Sequence, residues 1–268
     1  MRDKALQVIK NESNQRLARN KLREYLQHVI LRRLFEQNLL NRLIFHGGTA
    51  LRILHQINRF SEDLDFHLEY QNSKSITIKE LDSLKQGLEL AGYQISLKKQ
   101  VEKTVKSVFI KFERLLYDAR LSPNKSEKLN VKIEVDTNPP EGFQTETTLV
   151  NKYFPFAARH HDLSTFFSGK LHAILCRSYP KGRDLYDLAF YLSHWQDIQP
   201  NFTYLNNAIQ QTDSNQPQLT ENNWREFVKN KVESLSWNLI KEDVEPFIEN
   251  ELDFILLQKE HLLNLLKK

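Results

Sequence analysis

Hydrophobic residues along the 268-residue chain follow two different periods, and the period changes near the middle. In residues 1–43 apolar side chains recur every three or four positions, which predicts one or two amphipathic helices. Alternation of apolar and polar side chains, the period of a half-buried strand, occurs next in several segments and is only partial in residues 105–114. The strands predicted in this way are residues 63–70, 93–99, 105–114 and 128–136. Between them, residues 77–90 have the helical period and end near Gly92, a residue suited to a helix C-terminus.

The second half of the chain, from about residue 163, has mainly the helical period. Residues 201–218 are rich in Gln, Asn, Ser and Thr and are interpreted as a loop, whereas residues 252–266 predict a strongly apolar final helix. We therefore expect an α+β protein, with a mixed sheet flanked by helices and a mostly helical C-terminal bundle. The expected domains are residues 1–162, which hold the N-terminal helices and the sheet, and residues 163–268, which hold the bundle.

A glycine pair, Gly47-Gly48, separates a short apolar run at 43–45 from a helical pattern at 50–57. Paired glycines let the backbone adopt positive φ and let a large ligand approach the main chain. Thr49 is a natural N-cap for the helix, so the positive end of the helix would face the glycines. A Gly-Gly-Thr sequence alone is more often a simple turn, but two nearby acids in the chain favour an anion-binding turn.

These two carboxylates, Asp63 and Asp65, share one face of the next predicted strand. Neighbouring carboxylates repel each other, and a hard divalent cation relieves the repulsion, most often Mg²⁺ when a nucleoside triphosphate is also bound. Together with the glycine turn, the two acids predict a nucleotide-and-metal site for phosphoryl transfer.

A third acid is available from another strand, because the alternation in residues 132–136 places Lys132, Glu134 and Asp136 on one face. If this strand lies beside the strand of Asp63, one of its acids completes a three-carboxylate site. Periodicity alone does not separate Glu134 from Asp136.

Three cations cluster in the helical half, where Lys170 and Arg177 lie on one predicted helix and Arg183 begins the next. Their spacing suits the neutralisation of a triphosphate during transfer. Asp184 is expected either to orient Lys170 or to cap the second helix, and Asp187 is interpreted as a surface residue.

Composition narrows the class of protein only modestly. Hydrophobic residues make up 40% of the chain and charged residues 27%, which are globular values, and the net charge of +4 permits a nucleic-acid partner without requiring one. The single Cys176 excludes an intramolecular disulfide and a cysteine-based zinc site. Without an apolar leader or a bilayer-length apolar window, a cytoplasmic protein with no membrane partner is expected.

These segments resemble, in order, the minimal nucleotidyltransferases of the AbiEii/AbiGii toxin family, which belong to the DNA polymerase β-like superfamily. The resemblance lies in residues 45–52, 59–66, 132–135 and 170–188. It implies a polymerase β-like sheet and transfer of a nucleotide from an NTP, with Mg²⁺ as the cofactor and Mn²⁺ as its substitute. It also implies an RNA acceptor such as the 3′ end of tRNA, a cognate antitoxin, and a toxin role in a toxin–antitoxin or phage-abortive-infection pair.

The same resemblance assigns roles to individual residues. It implies metal binding by Asp63, Asp65 and Glu134, with Glu134 preferred to Asp136. The catalytic residues it implies are Asp63, Asp65, Glu134, Lys170 and Asp184. The nucleotide-binding residues it implies are Gly47, Gly48, Thr49, Arg52, Lys170, Arg177 and Arg183.

Two other functions compete with this one. A metal-dependent glycosyltransferase also uses an Asp-x-Asp pair to hold a nucleotide-sugar, although the early glycine turn and the absence of a doubly wound βαβ pattern argue against it. A non-catalytic nucleotide- or RNA-binding module is the third possibility, but such a module has no need of clustered acids that repel phosphate.

Overall fold

A seven-stranded mixed sheet is the central element of the computed structural model, which describes residues 1–69, 75–100, 105–212 and 216–267. Its strands are β1 (Leu43–His46), β2 (Leu64–Leu68), β3 (Gln94–Gln100), β4 (Val105–Glu113), β5 (Leu129–Asp136), β6 (Thr145–Val150) and β7 (Phe156–His161). They lie in the order β3-β4-β5-β2-β1-β7-β6. The β2–β5 and β1–β7 pairs are parallel, whereas the β1–β2, β3–β4 and β4–β5 pairs are antiparallel.

The described residues divide into two compact units. The N-terminal unit comprises Met1–His55, Phe60–Pro139 and Glu146–His160, and the C-terminal unit comprises Gln56–Arg59, Pro140–Thr145 and His161–Lys268. The expected boundary after residue 162 lies close to the break after His160, but two short earlier segments also belong to the C-terminal unit.

Within the described residues, the α-helices of the N-terminal unit are α1 (Arg2–Val8), α2 (Gln15–Glu36), α3 (Gly47–His55), α4 (Ile78–Leu90) and α5 (Leu115–Asp118). The long helix α2 is capped by the Asn14 side chain and contacts β5. The face of the sheet that packs against helices is apolar. Its buried side chains include those of Leu64, Phe66, Val131, Ile133 and Val135.

The C-terminal unit is helical, as the sequence predicts. Its helices are α6 (Leu163–Cys176), α7 (Gly182–His194), α8 (Phe202–Thr212), α9 (Trp224–Glu233), α10 (Trp237–Val244) and α11 (Lys259–Leu265). Asp162 caps α6 through the backbone N–H of Thr165, and the buried Trp224 ring packs edge-on against Phe167 with ring centroids 5.5 Å apart. In the described part of the chain, no helix has the length and apolar content that crossing a bilayer requires.

Local structure departs from the sequence expectations at several places. Residues 201–218, interpreted as a loop, contain α8, whose start is capped by the Asn201 side chain accepting from the Tyr204 N–H, and residues 213–215 lie outside the described residues. The expected final helix at 252–266 is instead a 3-10 helix, Glu251–Leu257, followed by α11 after an extended Gln258. Strands β6 and β7 were not expected, and the end of the expected strand at Tyr70 lies outside the described residues.

Candidate active site

The turn between β1 and α3 is built around Gly47, whose φ is +77°. A methyl group at this position would overlap Asp65 Oδ2 and would lie 3.1 Å from Asp65 Cγ. A side chain is thus disfavoured both by the backbone conformation and by the carboxylate packed against the turn. Only glycine lets the start of α3 and the Asp65 carboxylate approach each other this closely.

Thr49 has a different local role from the one expected. Helix α3 begins at Gly47, three residues earlier than expected, so Thr49 lies inside the first turn and the N-cap prediction is wrong. Its side chain is fully buried, and its hydroxyl donates a hydrogen bond to the backbone carbonyl of Asp63. This hydrogen bond fixes the first turn of α3 to the segment that enters β2.

Strand pairing brings Asp65 and Glu134 together. Their Cα atoms are register partners in the parallel β2–β5 pair, and His46 is the register partner of Asp65 on the other side, in β1. Leu64 and Phe66 turn into the core, whereas Asp65 between them is only half-buried. The sheet therefore carries these two carboxylates side by side on its polar face.

Asp63, the other acid of the pair, precedes β2 and lines an open groove of about 310 Å³. Lys132 and Phe109, register partners on β5 and β4, line the same groove. The Lys132 ammonium lies 5.5 Å from the centroid of the Phe109 ring. Asp63 thus lies at the start of β2, at the edge of a groove that is lined by both aromatic and charged side chains.

The negative charge of Glu134 is balanced by an ion pair with Lys132, a neighbour on the same strand. Lys132 Nζ lies 2.7 Å from Glu134 Oε1, and the two side chains are each about three-quarters covered. The ammonium therefore supplies, beside Glu134, the positive charge that a divalent cation was expected to provide.

Asp136 lies farther along the sheet from Asp65. Its register partner is His67, whose Nε2 is 4.0 Å from Asp136 Oδ2, and its Oδ1 accepts a hydrogen bond of 2.9 Å from the Asn138 N–H. Burial raises the pKa of Asp136 above its usual 3.8, and the Asn138 hydrogen bond opposes the rise only in part. By register, Glu134 is the direct neighbour of Asp65, and Asp136 is not.

The donor chemistry of Asp63, Asp65 and Glu134 fits a hard divalent cation, because all three supply carboxylate oxygens. Among residues 1–69, 75–100, 105–212 and 216–267, however, no three Asp, Glu, His or Cys side chains are grouped so that they could hold a metal ion. A cation shared by Asp65 and Glu134 requires Glu134 to exchange its ammonium partner for the cation.

Arg52, an expected nucleotide contact, is engaged in packing. Its Nε lies 2.7 Å from Glu24 Oε2, and its guanidinium lies 4.7 Å from the centroid of the Phe60 ring. Glu24 is almost completely buried and also pairs with Lys152. Burial alone would raise the pKa of Glu24, but Arg52 and Lys152 outweigh it and hold that pKa below the usual 4.5.

A second charged cluster lies within the C-terminal unit. Lys170 Nζ on α6 is 3.1 Å from Asp184 Oδ1 on α7, and Arg177 pairs with Asp184 Oδ2. Asp184 is 3% exposed; burial would raise its pKa, but Lys170 and Arg177 outweigh burial and hold the pKa below 3.8. The guanidinium of Arg183, the third expected cation, lies 4.0 Å from the centroid of the Phe247 ring.

Asp187 completes this cluster, and its interpretation as a surface residue is wrong because it is fully buried. Arg59 binds it with two hydrogen bonds, from Nε at 2.6 Å and from Nη2 at 2.5 Å. Lys170 Nζ lies 2.7 Å from Asp187 Oδ2. Arg59 lies only four residues before Asp63 in the chain, but no periodicity pairs it with a helix that lies more than a hundred residues later.

The expected site residues therefore form two groups, each described within its own unit. Asp63, Asp65, Glu134 and the glycine turn belong to the N-terminal unit, whereas Lys170, Arg177 and Asp184 belong to the C-terminal unit. That Lys170 and Asp184 contribute to one cleft with the acids stays a prediction.

The chain is similar to a known protein family and to solved structures. The family model described as "Nucleotidyl transferase AbiEii toxin, Type IV TA system" matches residues 29–258. A solved structure from H. pylori, of a protein proposed to be a nucleotidyltransferase, has 19% identity and a TM-score of 0.52, covering 90% of this chain and 92% of that chain. JHP933 from Helicobacter pylori has the same identity and TM-score, with 91% and 89% covered. At this identity the two structures show a shared fold, and no curated protein matches the chain.

Proposed function

This chain belongs to the AbiEii family of nucleotidyl transferase toxins, and we propose that it transfers a nucleotide from an NTP to the 3′ end of an RNA such as tRNA. In this proposal a divalent cation is held by Asp63, Asp65 and Glu134. The type IV toxin–antitoxin context of the family implies a cognate antitoxin as its protein partner.

The observation that carries the proposal is the placement of Asp65, which lies beside Glu134 in the sheet and packs against the Gly47 turn. Two acids on adjacent strands provide oxygen ligands at fixed positions, and the N-terminal turn of α3, with its first N–H groups, begins at Gly47, which packs against Asp65. Phosphate oxygens of the NTP bind these N–H groups, because they have no partners within the helix. Thr49 holds the two parts together through its hydrogen bond to the Asp63 carbonyl.

The chain's own residues have distinct tasks in this reaction. Asp63, Asp65 and Glu134 hold the cation, which when bound polarises the phosphate and favours an ionised acceptor hydroxyl. Gly47 and Gly48 leave the backbone accessible to the phosphates. Catalysis then consists mainly of positioning and of charge neutralisation at the transferred phosphorus.

Lys170 and Asp184 contact the nucleotide in this proposal, and Arg177 neutralises part of the triphosphate charge. The support for these roles is that all three side chains meet in one cluster. Arg52 is left out, because its guanidinium is committed to Glu24 and Phe60.

An RNA acceptor is supported by the chain's net charge of +4 and by the resemblance of its motifs to enzymes that act on tRNA ends. Nucleotidyl transfer is favoured over transfer of a sugar from a nucleotide-sugar by the family to which the chain belongs.

The deciding experiment incubates the protein with each α-labelled NTP, total cellular RNA and Mg²⁺, then separates RNA from protein on a gel. Label in an RNA band is expected with the wild type. Asp63→Asn and Asp65→Asn should each reduce the rate at least about 100-fold, since a ligand to the cation supplies several kcal/mol of transition-state stabilisation.

Asp82→Asn is the matched control, because Asp82 is an exposed carboxylate on α4 in the same unit. It should label RNA at the wild-type rate. Label on a protein band, or sugar transfer from UDP-sugars in parallel reactions, would replace the RNA-acceptor proposal. Unchanged RNA labelling by folded Asp63→Asn and Asp65→Asn proteins would remove these acids from the site.

A further inference from the structure

Asp187 is the most deeply buried carboxylate of the charged cluster in the C-terminal unit. It is 0% exposed, and Arg59, which binds it with two hydrogen bonds, is 1% exposed. Removing a guanidinium and a carboxylate from water is costly, and the cost is offset only when the geometry is good and the hydrogen-bonding groups are satisfied. The parallel two-bond arrangement of Arg59 on Asp187 meets this requirement.

Lys170 is held by two carboxylates that lie one turn apart on α7. Asp184 and Asp187 have the i, i+3 spacing that places side chains on one helix face, where two anions would repel each other. The Lys170 ammonium lies between them, 2.7 Å from Asp187 Oδ2 and 3.1 Å from Asp184 Oδ1. The Lys170 ammonium is closer to Asp187 than to Asp184, so the ion pair with the buried Asp187 is the stronger of the two.

Arg59 is fixed from its own side of the cluster. Its backbone forms an isolated antiparallel bridge with Ile248 of the same unit. Burial would lower the pKa of Arg59, but Asp187, together with Asp184 and Tyr186, outweighs burial and raises that pKa, so the guanidinium stays charged. The Asp187 carboxylate is consequently held in place by a charged partner whose backbone is itself anchored.

We propose that Asp187 is a positioning residue, which with Arg59 behind it fixes the Lys170 ammonium beside Asp184. This inference rests on the proposed role of Lys170 as a nucleotide contact. An NTP phosphate that binds Lys170 competes with Asp184, the more distant carboxylate, while Asp187 keeps the ammonium in place. Asp187 touches neither substrate nor cation and acts only through Lys170.

The test uses variants that keep the buried charges balanced. Asp187→Asn alone leaves Arg59 buried beside a neutral amide, so the double variant Arg59→Gln/Asp187→Asn is the principal one. Arg59→Lys is the second variant, because it keeps the positive charge but loses the two-bond grip on the carboxylate. Asp197→Asn, an exposed aspartate of the same unit, is the matched control.

The first measurement needs no activity. Reductive methylation of the full-length protein without NTP is followed by mass spectrometry at Lys170, with the exposed Lys241 as the internal reference. In the wild type and in Asp197→Asn, Lys170 should react slowly, since its side chain is 15% exposed and held between two carboxylates. In the folded double variant it should react at least about fivefold faster relative to Lys241, and in Arg59→Lys by an intermediate factor.

The second measurement is NTP transfer by the same proteins. The double variant should lose at least about tenfold in kcat/KM for the NTP, with the KM for the RNA acceptor unchanged. A purely structural role predicts that the folded double variant has wild-type Lys170 reactivity and wild-type kinetics, and this result overturns the proposal. If neither variant folds, the network serves folding itself and a separate positioning role is likewise rejected.

The two measurements also separate this inference from the proposed function. Faster methylation of Lys170 in the variants supports positioning by Asp187 even when the wild type transfers no nucleotide, in which case the proposed reaction alone fails. Unchanged methylation together with active, unaffected transfer rejects positioning while leaving the reaction intact.

Discussion

Asp65 and Glu134 are register partners in the parallel pairing of β2 with β5, so two carboxylates from distant parts of the chain stand side by side. A parallel pair requires a long crossover, and here β3, β4 and the intervening helices lie between the two strands in the chain. The sequence pattern assigns each acid to a strand face. Only the pairing of β2 with β5 shows that Asp65 and Glu134 are neighbours.

The close approach of Gly47 to Asp65 leads to a first prediction. Gly47→Ala introduces a methyl group at a positive φ and in the space that Asp65 Oδ2 occupies. We expect a loss of about 1–3 kcal/mol in the free energy of unfolding, measured by urea denaturation, because both backbone strain and a steric clash are added. Since Asp65 must also shift, nucleotide transfer should fall more than stability alone explains.

Gly169→Ala is the matched control for this variant. Gly169 lies inside α6, and no described atom outside its own helix is within 4 Å of the position that a methyl group would take. Replacing a mid-helix glycine by alanine should stabilise the protein by about 0.5–1 kcal/mol. Equal effects of the two substitutions would mean that the Gly47 turn has no special conformational requirement.

Much of the N-terminal unit could be predicted from the sequence, because its signals are local. Thr77 and Glu80 form a complete capping box at the start of α4, and Gly92 has a φ of +93° just after that helix ends, as its type and position suggest. Strands β3, β4 and β5 occur within one or two residues of the alternating segments. Local propensity and tertiary structure agree in these segments.

Other features depend on partners that are distant in the chain, and no local pattern reveals them. Helix α8 has mainly polar side chains, but Leu205 and Ile209 are buried and the helix packs against α6, and this tertiary packing favours the helix. The sequence around Asp187 suggests an exposed helical residue, and only the tertiary structure shows its buried ion pair with Arg59. Lys132 could be placed on the same face as Glu134, but not in contact with it, because a side-chain ion pair depends on rotamers.

A pH-dependent stability is expected from His55, the last residue of α3. Burial, together with the nearby His160, lowers the pKa of His55 from 6.5 to about 4. Between these two values the unfolded chain binds the proton more readily than the folded protein, so the free energy of unfolding should fall as the pH is lowered from 6.5 to about 4. After allowance for its partial exposure, His55 should contribute on the order of 2 kcal/mol to this loss.

His55→Gln tests this assignment by urea denaturation at several pH values. The variant should lose less stability than the wild type between pH 6.5 and pH 4. Comparison at pH 8, where the imidazole is neutral in both states, isolates any packing cost of the substitution. Parallel stability curves for the two proteins across the whole range would show that another group is responsible.

The contribution of Glu24 to the free energy of unfolding should depend on pH over a lower range than that of His55. Its folded pKa is held below 4.5, so its contribution is present above pH 4.5 and is lost as the pH falls through the folded value. Glu24→Gln leaves Arg52 and Lys152 without their shared anion and should cost about 2–4 kcal/mol at pH 7. The difference from the wild type should shrink as the pH is lowered from 4.5 toward 3.

Glu146→Gln serves as the comparison, because Glu146 is exposed on β6. It should change the free energy of unfolding by no more than about 0.5 kcal/mol. A Glu24→Gln protein that is as stable as this control at pH 7 would mean that the Glu24 pair has no net stabilising effect.

The contact between Lys132 and Glu134 predicts a change in cation affinity. In the wild type, a divalent cation that binds Glu134 must displace the Lys132 ammonium, which lies 2.7 Å from Glu134 Oε1, and is also repelled by it. Lys132→Met keeps most of the side-chain volume and removes the competing charge. Mn²⁺ should therefore bind about 3–10-fold more tightly to the variant in isothermal titration calorimetry, the gain expected for relief of a partly solvated charge repulsion.

Two further proteins make this last result specific to Glu134. Lys79→Met removes an exposed lysine from α4 and controls for the change in net charge, so its Mn²⁺ affinity should equal that of the wild type. In Lys132→Met/Glu134→Gln the gain should vanish, because the ligand that Lys132 blocks is gone. Tighter binding that survives the Glu134→Gln substitution would place the cation elsewhere, and unchanged binding in Lys132→Met would show that the ammonium and the cation do not compete.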